Sequence, residues 1–127
     1  MVPLLLDSTF VIDYMRGDPD ALRRLERIFE DGDEPVVNEV VVCEVRAGLR
    51  IADVPAFESL LLPIEFVQPG PESAMNAGRW RAEAQGRGWM LSLPDALIAS
   101  AADSLGATIL TRNERDFALT PVRVETY

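Results

Sequence analysis

Short apolar runs alternate with longer stretches of helical periodicity along the whole chain. Val2-Pro3-Leu4-Leu5-Leu6 is a continuous apolar run of strand length, the pattern of a strand covered on both faces. A short helix is predicted to follow, through about Arg16, and to stop at Gly17. Asp18-Pro19 then supplies an N-cap and an N1 proline for a helix that carries Leu22, Leu25, Ile28 and Phe29 at helical spacing. Asp31-Gly32-Asp33 breaks it, and Pro35-Val36-Val37-Asn38 reads as a weak strand leading into a helix from Glu39 to Leu49. Residues 54–62 are predicted helical, Ile64–Val67 a strand, and 71–87 a helix with Ala74, Gly78, Ala82 and Gly86 at intervals of four. Such a row of small residues lets another helix approach closely, within the fold or across a dimer. A helix from Leu93-Pro94 to Leu105 stops at Gly106. A strand at Ala107–Leu110, a turn at 112–116 and a last strand near 122–126 complete the pattern.

This alternation specifies an α/β fold, a three-layer α/β/α sandwich with a mostly parallel sheet of four to five strands. With no internal repeat or low-complexity linker, residues 1–127 are expected to form a single domain. No run of about 18 apolar residues marks a membrane span, and the first residues lack the basic start of a signal peptide. One cysteine, Cys43, forms no intrachain disulfide and fits a reducing, cytoplasmic setting. Lying in an apolar run, it is expected to be a small core residue.

Four acids interrupt or directly follow this apolar pattern. Asp7 ends the first run, and Glu44 sits inside Val40-Val41-Val42-Cys43-Glu44-Val45. Asp95 opens Asp95-Ala96-Leu97-Ile98-Ala99, and Asp116 closes the turn after Thr108-Ile109-Leu110-Thr111. Desolvating a carboxylate is costly, and four that converge repel one another unless a divalent cation holds them. In an open α/β sheet, ligands sit beyond the carboxyl ends of the strands, where Asp7 and Thr111 fall.

Taken singly, three of the four also have a plain structural explanation. Asp7 is placed to N-cap the next helix, although Ser8 and Thr9 can do the same. Asp95 taken alone stabilises a helix N-terminus, worth about 0.3–1 kcal/mol. Asp116 lies in ordinary turn composition. Glu44 is harder to dismiss: its helical neighbours Val40, Val41, Ala47 and Gly48 are apolar or small, so it is expected to face packed structure. Other acids drop out. Asp13 is expected to pair with Arg16 on a solvated face, and Asp31–Glu34 reads as a solvated loop. Asp103 lies about 12 Å along the helix from Asp95, too far to share an ion.

Composition narrows the chemistry by exclusion. There is no histidine, and all twelve basic residues are arginine. Ser-His-Asp and Cys-His catalysis, imidazole zinc sites, a Walker A loop and Schiff-base chemistry are all ruled out within the chain. Hard oxygen ligands remain, and these suit magnesium or manganese. A net charge of −9 argues against a dedicated nucleic-acid binder, but part of it is the acid cluster itself, whose local sign a bound cation inverts. Arg16, Arg46, Arg50 and Arg112 lie near the motif segments as candidate phosphate contacts. For Arg112 and Asn113, turn chemistry and phosphate or water positioning stand level. The acidity also makes a basic protein partner plausible.

Leu4-Leu5-Leu6-Asp7-Ser8-Thr9-Phe10-Val11-Ile12-Asp13-Tyr14 resembles the opening of a PIN domain. Val42-Cys43-Glu44-Val45-Arg46-Ala47-Gly48-Leu49, Leu93-Pro94-Asp95-Ala96-Leu97-Ile98-Ala99 and Leu110-Thr111-Arg112-Asn113-Glu114-Arg115-Asp116-Phe117 continue the resemblance in order. Over its whole length the chain is similar to VapC-type toxins of bacterial toxin–antitoxin modules. The resemblance implies an endoribonuclease dependent on Mg²⁺ or Mn²⁺ that cleaves cellular RNA, arrests translation and is held inactive by a VapB-type antitoxin. It implies Asp7, Glu44, Asp95 and Asp116 as the acidic quartet, with Asp7 and Asp95 as metal ligands and Thr9, Thr111 and Asn113 in support. A homodimer is implied too, and a heterotetramer or larger assembly with the antitoxin. The rival reading is a catalytically inactive PIN-like module whose acids bind a basic protein partner.

Overall fold

The computed structural model describes residues 2–127. Strand β1 (Pro3–Leu6) leads into helices α1 (Ser8–Met15) and α2 (Pro19–Glu30), then β2 (Glu34–Asn38), α3 (Glu39–Gly48) and α4 (Val54–Leu61). Strand β3 (Glu65–Val67), helices α5 (Pro71–Gly86) and α6 (Leu93–Leu105), and strands β4 (Thr108–Leu110) and β5 (Val124–Glu125) follow. Short 3₁₀ turns at Ile51–Asp53 and Glu114–Phe117 were not anticipated from periodicity, which cannot register so short an element.

The five strands lie in the order β3-β2-β1-β4-β5, and every pairing is parallel. From central β1 the chain steps outward to β2 and β3, then crosses back to β4 on the other side of β1. Crossovers between parallel strands are right-handed, so the two directions of travel place their helices on opposite faces. The result is the expected three-layer α/β/α sandwich. The direction reverses between β1 and β4, and there the sheet opens a crevice beyond its carboxyl ends.

The register at this seam sets the site. Leu6 pairs with Leu110, so the next residues, Asp7 and Thr111, emerge side by side. The Asp7 N–H donates to the Leu110 carbonyl at 3.0 Å and fixes the chain at its exit from the sheet. Leu4, Leu5, Leu6, Ile109 and Leu110 are buried around the seam. Each such side chain contributes about 1.5–3 kcal/mol relative to exposure, so the strand ends are held by fully buried core residues. Helices α5 and α6 pack against each other, with the buried Ser73 and Ser100 hydroxyls 2.8 Å apart across the contact. The expected stops hold: α6 ends on Gly106 at φ +64°, a left-handed conformation that glycine adopts without strain.

Several expectations need correction. In α2, Leu25 and Ile28 are buried but Leu22 and Phe29 are exposed; Ala21 and the stem of Arg24 complete the buried face. Cys43 is exposed rather than a core residue, because α3 buries only Val41 and Val45. For the same reason Glu44 does not face packed structure. Asp13 forms no pair with Arg16; its carboxylate binds Arg112 at 3.1 Å. The row Ala74, Gly78, Ala82 and Gly86 is exposed throughout, which removes internal packing as its explanation.

Candidate active site

Asp7 occupies the N-cap position of α1, yet its side chain makes no capping hydrogen bond. Its carboxylate is buried, with 4% of its surface exposed, and turns toward the neighbouring strand end. The Thr111 hydroxyl donates to Asp7 Oδ2 at 2.7 Å, and the Thr9 hydroxyl reaches the same oxygen at 3.0 Å. Thr111 itself accepts the Asn113 N–H at 3.0 Å, which orients its own proton toward Asp7. These bonds concentrate on Oδ2 and leave Oδ1 without a side-chain hydrogen bond. Burial nevertheless lifts the Asp7 carboxyl above its ordinary range, only partly offset by the two threonines.

Glu44 projects from α3 and accepts a 2.6 Å bond from the Ser8 hydroxyl on its Oε1. Asp95 lies in the first turn of α6, where Ser92 is the N-cap. The Asp95 N–H donates to the Ser92 hydroxyl at 3.2 Å, and that hydroxyl donates in turn to Asp95 Oδ2 at 2.8 Å. Helix capping and site-building therefore coincide at Asp95. Three acids thus share one design: a protein hydroxyl pins one oxygen, and the other carries no side-chain hydrogen bond. Ser8 and Ser92 do this as Thr9 and Thr111 do, but sequence reasoning did not single them out for it. Their signal was available in Asp7-Ser8-Thr9 and in Ser92 three residues before Asp95.

Asp116 lies exposed in the 3₁₀ turn Glu114–Phe117, and its backbone is held by a bond from its N–H to the Asn113 carbonyl at 3.1 Å. All four acids come together electrostatically at Asp95. Its carboxyl is pushed up to about 6, first by burial and then by the negative charges of Asp116, Asp7 and Glu44, against the lowering bond from Ser92. Among the described residues, none of the four enters an ion pair with an arginine.

Burial, and after it the neighbouring negative charges, raise the Asp7 and Asp95 carboxyls, and a cation bound between them would relieve both. No three acids among the described residues stand close enough to enclose an ion by themselves. Oxygen donors disposed in this way suit a hard divalent cation that takes a few carboxylate oxygens and keeps water in its remaining positions. They do not fit a closed, all-protein cage.

The candidate phosphate contacts divide. Arg112 is committed to structure: Nε lies 3.1 Å from Asp13 and Nη2 3.0 Å from Asp18. Arg46 is exposed on α3, two residues past Glu44. Arg16 and Arg50 line a cavity of about 520 Å³ between α1 and the end of α3, with Ile12, Met15, Val45 and Leu49.

Comparison with known proteins identifies the family and the fold. The family model described as PIN domain matches residues 4–122. The chain is 29% identical to Ribonuclease VapC19 of Mycobacterium tuberculosis, over 92% of this chain and 94% of that protein. It is 24% identical to the tRNA(fMet)-specific endonuclease VapC of Salmonella typhimurium, over 98% of both. Its fold is shared with VapBC2 from Rickettsia felis, solved bound to a DNA fragment from its promoter, at a TM-score of 0.88, 19% identity and 99% coverage of both chains.

Proposed function

The chain belongs to the PIN domain family, and from that premise we propose that it is a metal-dependent endoribonuclease. In this reading it cleaves cellular RNA in the cytoplasm, inhibits translation and is neutralised by a VapB-type antitoxin. The observation that carries the proposal is the disposition of the acids. Asp7, Glu44 and Asp95 are each pinned through one oxygen by a hydroxyl, they share a field with Asp116, and none has a protein cation. The curated relatives named as a ribonuclease and a tRNA-specific endonuclease, aligned over nearly the whole chain, support the same activity.

Asp7 and Asp95 are the proposed ligands for Mg²⁺ or Mn²⁺, offering the oxygens that their hydroxyl partners leave free. Bound there, the cation supplies Lewis acidity, lowering the pKa of an attacking water and offsetting charge on the scissile phosphate. Glu44 and Asp116 orient water at the edges of the site. Thr9 and Thr111 hold Asp7 in one rotamer, and Asn113 sets the direction of the Thr111 proton. The chain has no imidazole to take a proton from a ribose 2′-hydroxyl, so water is the nucleophile. The water oxygen would bond to phosphorus as the P–O3′ bond breaks, and the proton that water gives up balances the one O3′ takes, leaving 5′-phosphate and 3′-hydroxyl ends.

Arg16 and Arg46 are the remaining candidates for backbone phosphate contacts, since Arg112 is engaged and Arg50 pairs with Asp53 at 2.9 Å. The acidic surface suits a basic antitoxin segment. Homodimerisation, implied by the resemblance, is supported by the exposed face of α5, where Gly78 and Ala82 line one surface cavity with exposed Trp89 and Met90.

Purified, antitoxin-free protein incubated with total RNA tests the proposal when the cut ends are mapped. Discrete fragments with 5′-phosphates, formed with Mg²⁺ or Mn²⁺ and abolished by EDTA, are expected. Ends carrying cyclic phosphates overturn the water mechanism. No cleavage of any RNA pool by folded, metal-supplied protein overturns the ribonuclease reading in favour of an interaction module.

A further inference from the structure

One network of charged and aromatic groups lies just outside the acid quartet and is used by none of the steps above. Arg112 follows Thr111 directly, and its guanidinium is gripped on three sides. Asp13 on α1 and Asp18 before α2 bind its nitrogens at 3.1 and 3.0 Å. The Tyr127 ring lies beneath its guanidinium carbon, 4.6 Å from the ring centroid. The Tyr127 hydroxyl donates to the same Asp13 carboxylate at 2.5 Å. Below, the tyrosine ring meets buried Phe10 edge-on at 4.9 Å, so the grip is anchored in the core of α1.

The neighbouring backbone is tied down as well. The Thr111 N–H donates to the Glu125 carbonyl at 3.0 Å, and the Glu125 carboxylate faces the buried Arg24 of α2 at 3.4 Å. Asp18 itself caps α2, accepting the Ala21 N–H at 3.0 Å. Residues 125–127 therefore hold both the backbone and a side chain of the loop that begins with Thr111 and ends with Asp116. That loop supplies the Asp7 donor and the fourth acid. Its turn is only one 3₁₀ element long, and such an element has little rigidity of its own.

We propose that Tyr127, with Asp13 and Asp18, forms a latch on Arg112 that sets the Thr111–Asp116 loop against the quartet. These are positioning residues; none of them touches substrate or cation. Tyr127 acts at the greatest remove, and removing its hydroxyl loosens the loop without altering the charge of the site. The activity arm of this inference rests on the ribonuclease reading, whereas its cation arm does not.

The test uses the full chain, wild type against Tyr127→Phe and Arg112→Lys, each shown folded by circular dichroism at the assay temperature. Tyr127→Phe keeps the ring under Arg112 and loses only the bond to Asp13. Arg112→Lys keeps the charge but cannot reach Asp13 and Asp18 together. Mn²⁺ affinity is read directly by electron paramagnetic resonance of free Mn²⁺, and kcat and KM on RNA are read separately. Both variants are expected to bind Mn²⁺ several-fold more weakly and to lose about tenfold in kcat, the scale of lost support around a metal site. KM for RNA is expected to stay within about twofold, because uniform substrate binding is untouched. Wild-type Mn²⁺ affinity and kcat in both variants overturn the latch, as does a loss confined to KM. Wild type that binds Mn²⁺ but cleaves no RNA removes the ribonuclease reading instead, and the Mn²⁺ titrations then decide the latch alone.

Discussion

Thr111 places its hydroxyl 2.7 Å from Oδ2 of Asp7, although 104 residues separate the two in the chain. The contact follows from register: Leu6 opposite Leu110 in adjacent parallel strands brings the next residues together. Thr111 is fully buried, so its hydroxyl has no water to fall back on. Thr111→Val keeps the shape, removes the donor and strands the Asn113 N–H. It is expected to cost about 1–3 kcal/mol in urea unfolding and to raise the Asp7 carboxyl further. RNA cleavage should fall by about tenfold or more. Thr111→Ser should restore most of both; a fully active valine variant would remove Thr111 from the site.

The acids also make a statement about stability and pH. Asp95 titrates at about 6 in the folded protein, against about 3.9 for an unfolded aspartate. Between those values the native state holds more protons than the unfolded chain, so stability falls as pH rises through that window. Asp7, also raised, acts with the same sign. The melting temperature of metal-free protein is therefore expected to drop between about pH 4 and 6 through these groups, and Asp95→Asn should flatten that slope. Added Mg²⁺ should recover stability above pH 6, where the carboxylates are free to bind it. Equal slopes in wild type and variant would show that Asp95 is not the group concerned.

Ser92 serves α6 and Asp95 together, so its removal should be felt twice. Ser92→Ala is expected to lower stability by about 1 kcal/mol through the lost cap. It should also reduce metal-dependent cleavage, because Asp95 Oδ2 loses its 2.8 Å partner. Ser92→Thr should rescue both. A variant destabilised yet fully active would confine Ser92 to capping.

Cys43 offers a check that needs no substrate. Its exposed thiol should react with a thiol reagent in native protein to one equivalent, without denaturant. Protection until unfolding would place α3 differently and with it Glu44, the next residue.

Much of this architecture was legible in the residues, for physical reasons that can be named. The run Leu4-Leu5-Leu6 has no polar position to spare, which only a strand covered on both faces tolerates. The proline and glycine punctuation at Pro19, Pro94 and Gly106 marks real helix ends. What failed was the facing of single residues. Cys43 shares an apolar run with Val40 and Val42, yet it is exposed while those two are partly buried against the core. Hydrophobicity alone does not say how wide a buried stripe is. The pairing of Asp13 with Arg112 crosses from α1 to the loop after β4, and no local spacing rule reaches that far. The hydroxyl partners Ser8 and Ser92 were hidden because serine is equally at home as a cap.

The most direct measurement is metal-dependent cleavage of a single RNA pool by wild type and by Asp7→Asn, Glu44→Gln, Asp95→Asn and Asp116→Asn, each shown to be folded. If the four acids act as one cation site, wild type cleaves with Mg²⁺ or Mn²⁺ and stops with EDTA, and all four variants fail. Cleavage that survives EDTA, or that persists in folded Asp7→Asn, would contradict the account.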